Sequence, residues 1–239
     1  TRTMEYGICT QAVVAMRREN SHASEMVNQL LYNELYEKLD ERSEWMLVRT
    51  EWDQYEGWIS SKQHHAINEM DYSELKAAKP HVIDKPVVEY EGKLLSFGTP
   101  VYANDAAKIP SVFQPDLMVE NAKKLLGTPY LWGGRSIMGI DCSGFVQLCA
   151  RTAGLFLPRD ASQQVKGGEL VYFLQETQPG DLAFFGNENG SVTHVGILLG
   201  NEQIIHASGE VRIDFLDQTG IFNRERNEHT HQLLAIKRL

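Results

Sequence analysis

The amino-acid sequence predicts an α+β protein in which a small all-β domain precedes a larger domain of helices packed on an antiparallel sheet. Residues 13–59 carry short apolar or alternating runs broken by polar turns, which is typical of strands. After Asp116 two segments have apolar residues at helical spacing, and after Gly180 the pattern returns to that of strands. Helices followed by consecutive strands favour an α+β domain over alternating β and α units.

The first domain is expected over residues 1–70. Its short runs are AVVAMRRE, LLYNELYEKLDE, WMLVRTE and YEGWISS, although the composition of QLLYNELYEKL is also compatible with a helix. A cluster of aromatic residues predicts a small barrel core with an aromatic face, formed by Trp45, Trp52, Tyr55 and Trp58.

Residues 71–110 are expected to form a linker that packs on both neighbours, with a residual β unit as the alternative. Prolines recur through this segment, at Pro80, Pro86, Pro100 and Pro110, and periodicity is weak. Only KLLSFGTPVY has the pattern of a hairpin.

The second domain is expected over residues 111–239. The run DLMVENAKKLLG predicts a helix that ends at Gly127, and DCSGFVQLCARTAG predicts a helix capped by Asp141 and ended by Gly154. A third, short helix is expected in LPRDASQQV. Five strands follow, in GDLAFF, THVGILLG, EQIIHAS, VRIDFL and HQLLAIKRL, with GNE as a tight hairpin turn.

Composition excludes several classes of partner. Acidic residues outnumber basic ones by 32 to 23, the net charge is −9, and there is no Lys/Arg-rich run, so neither nucleic acid nor an anionic membrane is expected to bind. No apolar run reaches the roughly 18 residues of a membrane span. We expect a monomer without a cofactor.

The chain has three cysteines, Cys9, Cys142 and Cys149. An odd number, with two of them seven residues apart on one predicted helix, argues against a disulfide framework and for free thiols. We therefore expect a cytoplasmic protein, or a periplasmic or secreted one if an export signal has been removed.

Cys142 lies at the predicted start of a helix, where the helix dipole and unpaired backbone amides favour the thiolate. It is thus a candidate nucleophile, and its backbone amide is a candidate oxyanion donor. The alternative is a small buried apolar residue, which is the role expected for Cys149. Asp141 and Ser143 flank Cys142 and are expected to shape the helix tip and to bind polar atoms of a substrate.

Two histidines favour the catalytic interpretation of Cys142. His194 and His206 lie on strands that flank a predicted hairpin turn, so antiparallel pairing would bring their side chains together. Each could instead be a structural hydrogen-bonding residue. The other six histidines are expected at the surface: His22, His64, His65, His81, His229 and His231.

Zinc binding by Cys142, His194 and His206 is a further alternative, because zinc accepts such ligands in tetrahedral sites. However, the sequence has no paired-cysteine spacing, no His-x-x-x-His spacing and no obvious fourth ligand. No metal is therefore expected.

The segments GTPYLWGGRSIMGIDCSGFVQ, LPRDASQQ, PGDLAFF, THVGILLG and IIHAS together resemble the NlpC-type family of papain-like bacterial cell-wall cysteine peptidases. The resemblance covers roughly residues 117–239 and implies a papain-like fold. It also implies that Cys142 is the nucleophile, His194 the base and His206 the group that orients the base. The substrate it implies is a peptidoglycan stem peptide, cut between γ-linked D-glutamate and a diamino acid.

The segment WMLVRTEWDQYEGWISS resembles the closing strands of the bacterial SH3-like unit that precedes this peptidase domain in some members. In those enzymes an acidic residue and a tyrosine of the SH3-like unit bind the free amine of an N-terminal L-alanine. The acidic residue corresponds to Asp160, whose alternative role is a helix N-cap, and Tyr55 is the candidate tyrosine, with a core position as its alternative. The other residues that we expect to contact substrate are Glu56, Tyr130, Arg159 and Ala161.

We therefore expect a γ-D-glutamyl-diamino acid peptidase that acts on stem peptides with a free L-alanine, in the recycling of cell-wall peptides. The alternatives are a general hydrolase of intact peptidoglycan, a catalytically silent wall-binding protein, and a related amidase or transferase with another substrate. The sequence leaves open whether the diamino acid is lysine or diaminopimelate.

Overall fold

A computed structural model of the chain describes residues 5–103 and 106–239. It contains two compact units, of which the first comprises Thr1–Ile109 and Trp132–Ile137 and the second comprises Pro110–Leu131 and Met138–Leu239. The first unit thus includes the segment predicted as a linker, and it also includes six residues that the sequence analysis assigned to the second domain.

The first unit is built on a seven-stranded antiparallel sheet with strand order β3-β2-β6-β5-β4-β1-β7. Alternating burial explains the strands: in β2, for example, Val14 and Met16 point into the core while their neighbours are partly exposed. The strands are β1 Glu5–Ile8, β2 Val13–Arg17, β3 Met26–Leu31, β4 Leu35–Arg42, β5 Trp45–Thr50, β6 Glu56–Ser60 and β7 Ala66–Ile67. The strand interpretation of QLLYNELYEKL is confirmed, since it forms parts of β3 and β4.

The core of this sheet is less aromatic than the sequence analysis predicted. Its buried cluster consists of Cys9, Val14, Met16, Leu30, Tyr36, Met46, Val48 and Ile59, with Tyr55 packed against it. Trp45 and Trp58 are buried, but their rings contact polar groups: His22 lies against Trp45 and the Arg42 guanidinium lies over Trp58. The aromatic face therefore lies beside an aliphatic core.

The segment after the barrel folds into short elements of its own. Helix α1 (Glu69–Ala77) is capped by Asn68, and its Tyr72 stacks on Tyr6 of β1 with ring centroids 4.1 Å apart. Four short strands follow: β8 His81–Val82, β9 Val87–Tyr90, β10 Lys93–Ser96 and β11 Pro100–Val101. They support the alternative of a small β unit in this segment.

The hairpin predicted in KLLSFGTPVY is wrong. Strand β10 pairs with β9, and β11 pairs with β8. The tight turn is at Glu91 and Gly92, which both have positive φ, as a two-residue hairpin turn requires. Gly98, within KLLSFGTPVY, also has positive φ, but it lies between strands β10 and β11, which do not pair with each other.

A buried ion pair holds residues 132–137 in the first unit. Arg135, in the short strand β12 (Arg135–Ser136), donates to both carboxylate oxygens of Glu34 at 2.9 and 3.0 Å and to the Gln29 carbonyl at 2.8 Å. Its guanidinium also lies 4.7 Å from the ring centroid of Trp52. The Arg135 and Glu34 side chains are 0% and 1% exposed, so each is the compensating charge of the other.

The second unit packs three helices with a seven-stranded antiparallel sheet of order β14-β20-β15-β16-β17-β18-β19, and β20 also pairs with β19. The helices are α2 Pro115–Lys123, α3 Cys142–Thr152 and α4 Ala161–Gln164. The strands are β13 Gly139–Ile140, outside this sheet, and β14 Glu169–Leu170, β15 Leu182–Gly186, β16 Val192–Gly200, β17 Gln203–Ser208, β18 Glu210–Leu216, β19 Gly220–Asn223 and β20 Glu228–Arg238. The predicted helices and five predicted strands are confirmed, whereas β13, β14 and β19 were not predicted.

Replacement of Glu34 by Gln should lower the free energy of unfolding by about 3 kcal/mol or more, because it leaves the Arg135 charge buried without a carboxylate. Urea denaturation of wild type and variant measures the change. The matched control is Glu44→Gln, since Glu44 and Lys62 form a pair whose side chains are 68% and 78% exposed, and that change should cost less than about 1 kcal/mol. Equal losses in the two variants would show that the buried pair adds no specific stability.

Candidate active site

Cys142 is the first residue of α3, at the position the sequence analysis predicted. Asp141 caps this helix, because its side chain accepts a hydrogen bond from the Gly144 amide at 2.8 Å. As an N1 residue, Cys142 has a backbone amide without an intrahelical acceptor. Its sulfur lies beside the backbone amides of Ser143 and Val195, which hydrogen-bond to it. Val195 directly follows His194, so the thiol lies against the strand that carries the predicted base.

Arg159 stabilises the N-terminus of α3 by binding the two residues that flank Cys142. Its guanidinium donates to both oxygens of Asp141, at 2.9 and 2.7 Å, and to the Ser143 hydroxyl at 3.0 Å. The Arg159 side chain is 1% exposed. These contacts give Arg159, Asp141 and Ser143 a role in shaping the tip, and their predicted contact with substrate stays a prediction.

The two predicted histidines meet as expected. His194 Nε2 and His206 Nδ1 are 2.8 Å apart, and both residues are buried. In the register of β16 and β17 Gly196 lies opposite His206. A Cβ atom at Gly196 would lie 2.8 Å from the His206 Cβ, closer than side chains tolerate, so glycine is required for the strands to approach here.

Two charged residues on β18 extend this pair, and the sequence analysis missed them. Asp214 Oδ2 is 2.9 Å from His206 Nε2, and Arg212 donates to both oxygens of Asp214, at 2.7 and 3.0 Å. Burial works to raise the pKa of Asp214, but the hydrogen bonds from His206 and Arg212 outweigh it and lower the pKa to about 2. Asp214 is therefore a carboxylate at neutral pH.

His231 also belongs to the site, so its expected surface position is wrong. Its ring stacks on His194, with centroids 4.2 Å apart and planes inclined by 27°, and it lies edge-on to His206. Burial, followed by the neighbouring His206, lowers the pKa of His231 to about 4. It is neutral at physiological pH. Its strand β20 is far from His194 in sequence, so no local pattern indicates the contact.

Burial determines the charge state of the nucleophile. Burial first, and then Asp141, raise the pKa of the Cys142 thiol to about 12, and the lowering effects of Val195, Arg159 and Ser143 do not offset them. Burial and the His206 and His231 rings hold the pKa of His194 well below its ordinary value. The expected stabilisation of a thiolate by the helix start is thus outweighed, and the resting site holds a neutral thiol and a neutral imidazole.

Tyr130 and Asp160 lie in the second unit with the cysteine. Burial, with Cys142 and Asp141 nearby, raises the pKa of Tyr130 to about 12, so its phenol remains a hydrogen-bond donor. Asp160 is half-buried at the N-cap position of α4, but its side chain accepts no capping hydrogen bond in this helix. Ala161, the first residue of α4, is buried.

Tyr55 and Glu56 lie in the first unit. Tyr55 packs against the barrel core, which agrees with the alternative that the sequence analysis gave for it. Glu56 is exposed and pairs with Arg49 at 2.7 Å. Their predicted contact with substrate stays a prediction.

Across residues 5–103 and 106–239, no group of three or more His, Cys, Asp or Glu side chains is arranged to hold a metal ion. None of the helices in the same ranges combines the length and apolar character that a membrane span requires. The three cysteines are free and buried.

Comparison with known families agrees with this geometry. Residues 127–229 match the model of the NlpC/P60 family, and residues 16–63 match that of the bacterial dipeptidyl-peptidase Sh3 domain. The chain carries an NlpC/P60 domain that follows a bacterial SH3 domain. The resemblance found in the sequence is therefore confirmed for both halves, and the NlpC/P60 match includes Cys142, His194, His206 and Asp214.

Two relatives from Bacillus subtilis (strain 168) match parts of the chain. It is 40% identical over 92 residues to a gamma-D-glutamyl-L-lysine dipeptidyl-peptidase, covering 38% of this chain and 31% of that protein. It is 35% identical over 137 residues to a gamma-DL-glutamyl hydrolase, covering 55% and 33%. These matches thus span about a third of the length of either relative.

A solved structure supports the fold over nearly the whole chain. The crystal structure of an NlpC/P60 family protein from Bacillus cereus ATCC 10987 has a TM-score of 0.78 and 20% sequence identity, covering 98% of this chain and 99% of that one. The predicted fold class is confirmed: a papain-like α+β domain preceded by a small SH3-like barrel.

The neutral state of Cys142 in the NlpC/P60 domain predicts the ultraviolet spectrum of the free enzyme. Thiolate absorbance, taken as wild type minus Cys142→Ala, should be absent at neutral pH and should appear only above the ordinary range of cysteine, because burial raises the pKa of this thiol. The subtraction cancels Cys9 and Cys149. Thiolate absorbance at neutral pH would show a stable thiolate-imidazolium pair instead.

Proposed function

We propose that this chain is a cysteine peptidase that hydrolyses the bond between γ-linked D-glutamate and a diamino acid in peptidoglycan stem peptides with a free N-terminal L-alanine. The observation that carries the proposal is the buried chain of hydrogen bonds from Asp214 through His206 to His194, next to a thiol at a helix N-terminus. The NlpC/P60 family acts on peptidoglycan, and the dipeptidyl-peptidase type of the SH3 match supports the finer substrate.

The first half of the reaction makes a thioester. The Cys142 sulfur attacks the γ-carbonyl carbon while its proton passes to His194, and the carbonyl oxygen becomes an oxyanion. The Cys142 amide is available to donate to this oxyanion, and the protonated Tyr130 phenol is a second candidate donor. His194 then gives its proton to the amine nitrogen of the diamino acid as the C–N bond breaks.

The second half restores the enzyme. His194 takes a proton from water as the water oxygen attacks the thioester carbon, and the C–S bond breaks to leave the γ-carboxyl of the L-alanyl-D-glutamate product. The thiol then recovers its proton from His194. His206 remains hydrogen-bonded to His194 through both halves and stabilises the imidazolium that forms twice per turnover.

Asp160 is proposed to bind the ammonium group of the N-terminal alanine. A buried or half-buried ammonium needs a carboxylate partner, and the half-buried Asp160 lies in the same unit as Cys142. Tyr55, which lies within the SH3 match, is proposed to contribute to the same specificity. A substrate whose alanine is still joined to muramic acid lacks this charge, so the proposal favours released wall peptides.

Cys142→Ala should abolish release of the diamino acid from L-alanyl-γ-D-glutamyl-lysine and from the diaminopimelate analogue, because no nucleophile remains. Chromatography of the products measures the loss, and circular dichroism checks the fold. The matched control is Cys149→Ala, which removes a buried thiol from the same helix and should retain activity. Turnover by Cys142→Ala would contradict the covalent mechanism.

Asp160→Asn should lower kcat/KM for the free-amine peptide on the order of 100-fold, through loss of a partly buried ion pair. N-acetylation of the peptide should lower wild-type kcat/KM by a similar factor. If the two groups interact, the losses should not add, and the variant should barely discriminate between free and acetylated peptides. Additive losses, or none, would favour a general hydrolase of intact wall.

A further inference from the structure

Asp214 is in contact with His206 and lies on the side of it away from His194. Its carboxylate is 6% exposed, whereas the side chain of its partner Arg212 is 22% exposed. Arg212 also reaches Glu225 at 3.5 Å. The negative charge of Asp214 is thus buried against the histidine pair, and the compensating positive charge is partly screened by solvent.

The hydrogen bonds fix where the protons lie. Because Asp214 is ionised, it can only accept, so His206 Nε2 carries a proton. A second proton on His206 would add a charge beside the buried rings of His194 and His231, so His206 Nδ1 accepts and His194 Nε2 donates. A neutral imidazole has one N–H, and His194 Nδ1 is therefore the unprotonated nitrogen that can take a proton from the thiol.

We propose that Asp214 is the anionic end of a four-group chain, Cys142–His194–His206–Asp214, and that it positions the protons of both histidines and stabilises the imidazolium of His194. The proposal rests on the peptidase function and deepens it. Asp214 is a positioning residue, since it acts on the reacting atoms through His206. In the step itself the proton leaves the Cys142 sulfur for His194 Nδ1, and the other hydrogen bonds keep their protons.

The charged groups around the pair set the sign of the expected pH effect. Three strands present titratable or charged groups to His206: β16 presents His194, β18 presents Arg212 and Asp214, and β20 presents His231. Glu225 lies on the far side of Arg212. The remaining groups of the site are at the start of α3: Cys142, Asp141 and Arg159. Asp214 is the carboxylate that contacts the histidine pair directly. Removal of its charge makes the His194 imidazolium less stable, and removal of the Arg212 charge makes it more stable.

The test compares the kcat-pH profiles of Asp214→Asn and Arg212→Gln with wild type. Asparagine keeps an oxygen for His206 Nε2–H but has no charge, so kcat should fall roughly 10- to 100-fold with little change in KM. The acid limb, which reports protonation of His194, should move to lower pH by about half a unit. In Arg212→Gln the same limb should move to higher pH.

The matched control is Asp181→Asn. Asp181 is buried in the same unit and accepts hydrogen bonds from Nε and Nη2 of Arg238, at 2.9 and 2.8 Å, as Asp214 does from Arg212. The hydrogen bonds described for Asp181 include none to a histidine. This variant should lose stability and keep the wild-type pH profile. If the Asp214→Asn profile also superimposes on that of wild type, Asp214 is merely structural and the proposal is overturned.

A second readout does not depend on the substrate. The ¹⁵N chemical shifts of the imidazole rings in the resting enzyme should show the Nε2–H tautomer for both His194 and His206. A proton on Nδ1 of His194 would overturn the proposed order of hydrogen bonds. Absence of peptide cleavage by the wild type, with these tautomers present, would instead contradict the proposed function and leave the four-group chain standing.

Discussion

The antiparallel pairing of β16 with β17 is the constraint on which the rest of the site depends. It places Gly196 opposite His206, and the missing side chain at that position lets the two strands approach. His194 lies two residues before Gly196 on β16, with its Nε2 2.8 Å from His206 Nδ1. The residue that follows it, Val195, supplies an amide to the Cys142 sulfur, so one strand positions the base and also contacts the nucleophile.

Burial keeps the Cys142 thiol and the His194 ring of the site uncharged at rest. Cys142, His194 and His206 are each less than 10% exposed, so a separated thiolate and imidazolium would lack solvation by water at rest. Charge separation becomes favourable only when the sulfur attacks a carbonyl and the negative charge moves to an oxygen near backbone amides. The site therefore couples proton transfer to bond formation, which protects the thiol from ionising in the absence of substrate.

Local patterns in the sequence were sufficient to predict those parts of the site whose contacts are between residues close together in the chain. The cap at Asp141, the helix start at Cys142 and the turn at Gly200 are all short-range features, and the histidine pair follows from one tight hairpin. A similar argument was available for β18, since the turn at Gly209, which has positive φ, places Arg212 opposite His206.

The features that the sequence analysis missed depend on long-range pairing. His231 reaches His194 because β20 pairs with both β15 and β19, and nothing in the sequence around either histidine specifies that closure. Residues 132–137 belong to the first unit through contacts of Arg135 with Glu34 and Gln29, about a hundred residues earlier in the chain. A buried ion pair of this kind has no periodic signature, because each partner taken alone resembles a surface residue.

Two carboxylates with arginine partners lie near the reacting groups, and they act on the proton in opposite directions. The negative charge of Asp141 disfavours ionisation of the Cys142 thiol. Arg159 reduces that effect, because its guanidinium binds both carboxylate oxygens of Asp141. Asp214 favours a positive His194 through His206, and its own partner Arg212 is the more solvent-screened of the two arginines. Arg159 does not fully offset Asp141, so the charges at the sulfur end oppose ionisation of the thiol. The charge of Asp214 favours movement of the proton from Cys142 to His194, while burial and Asp141 oppose it until a substrate carbonyl can accept the negative charge.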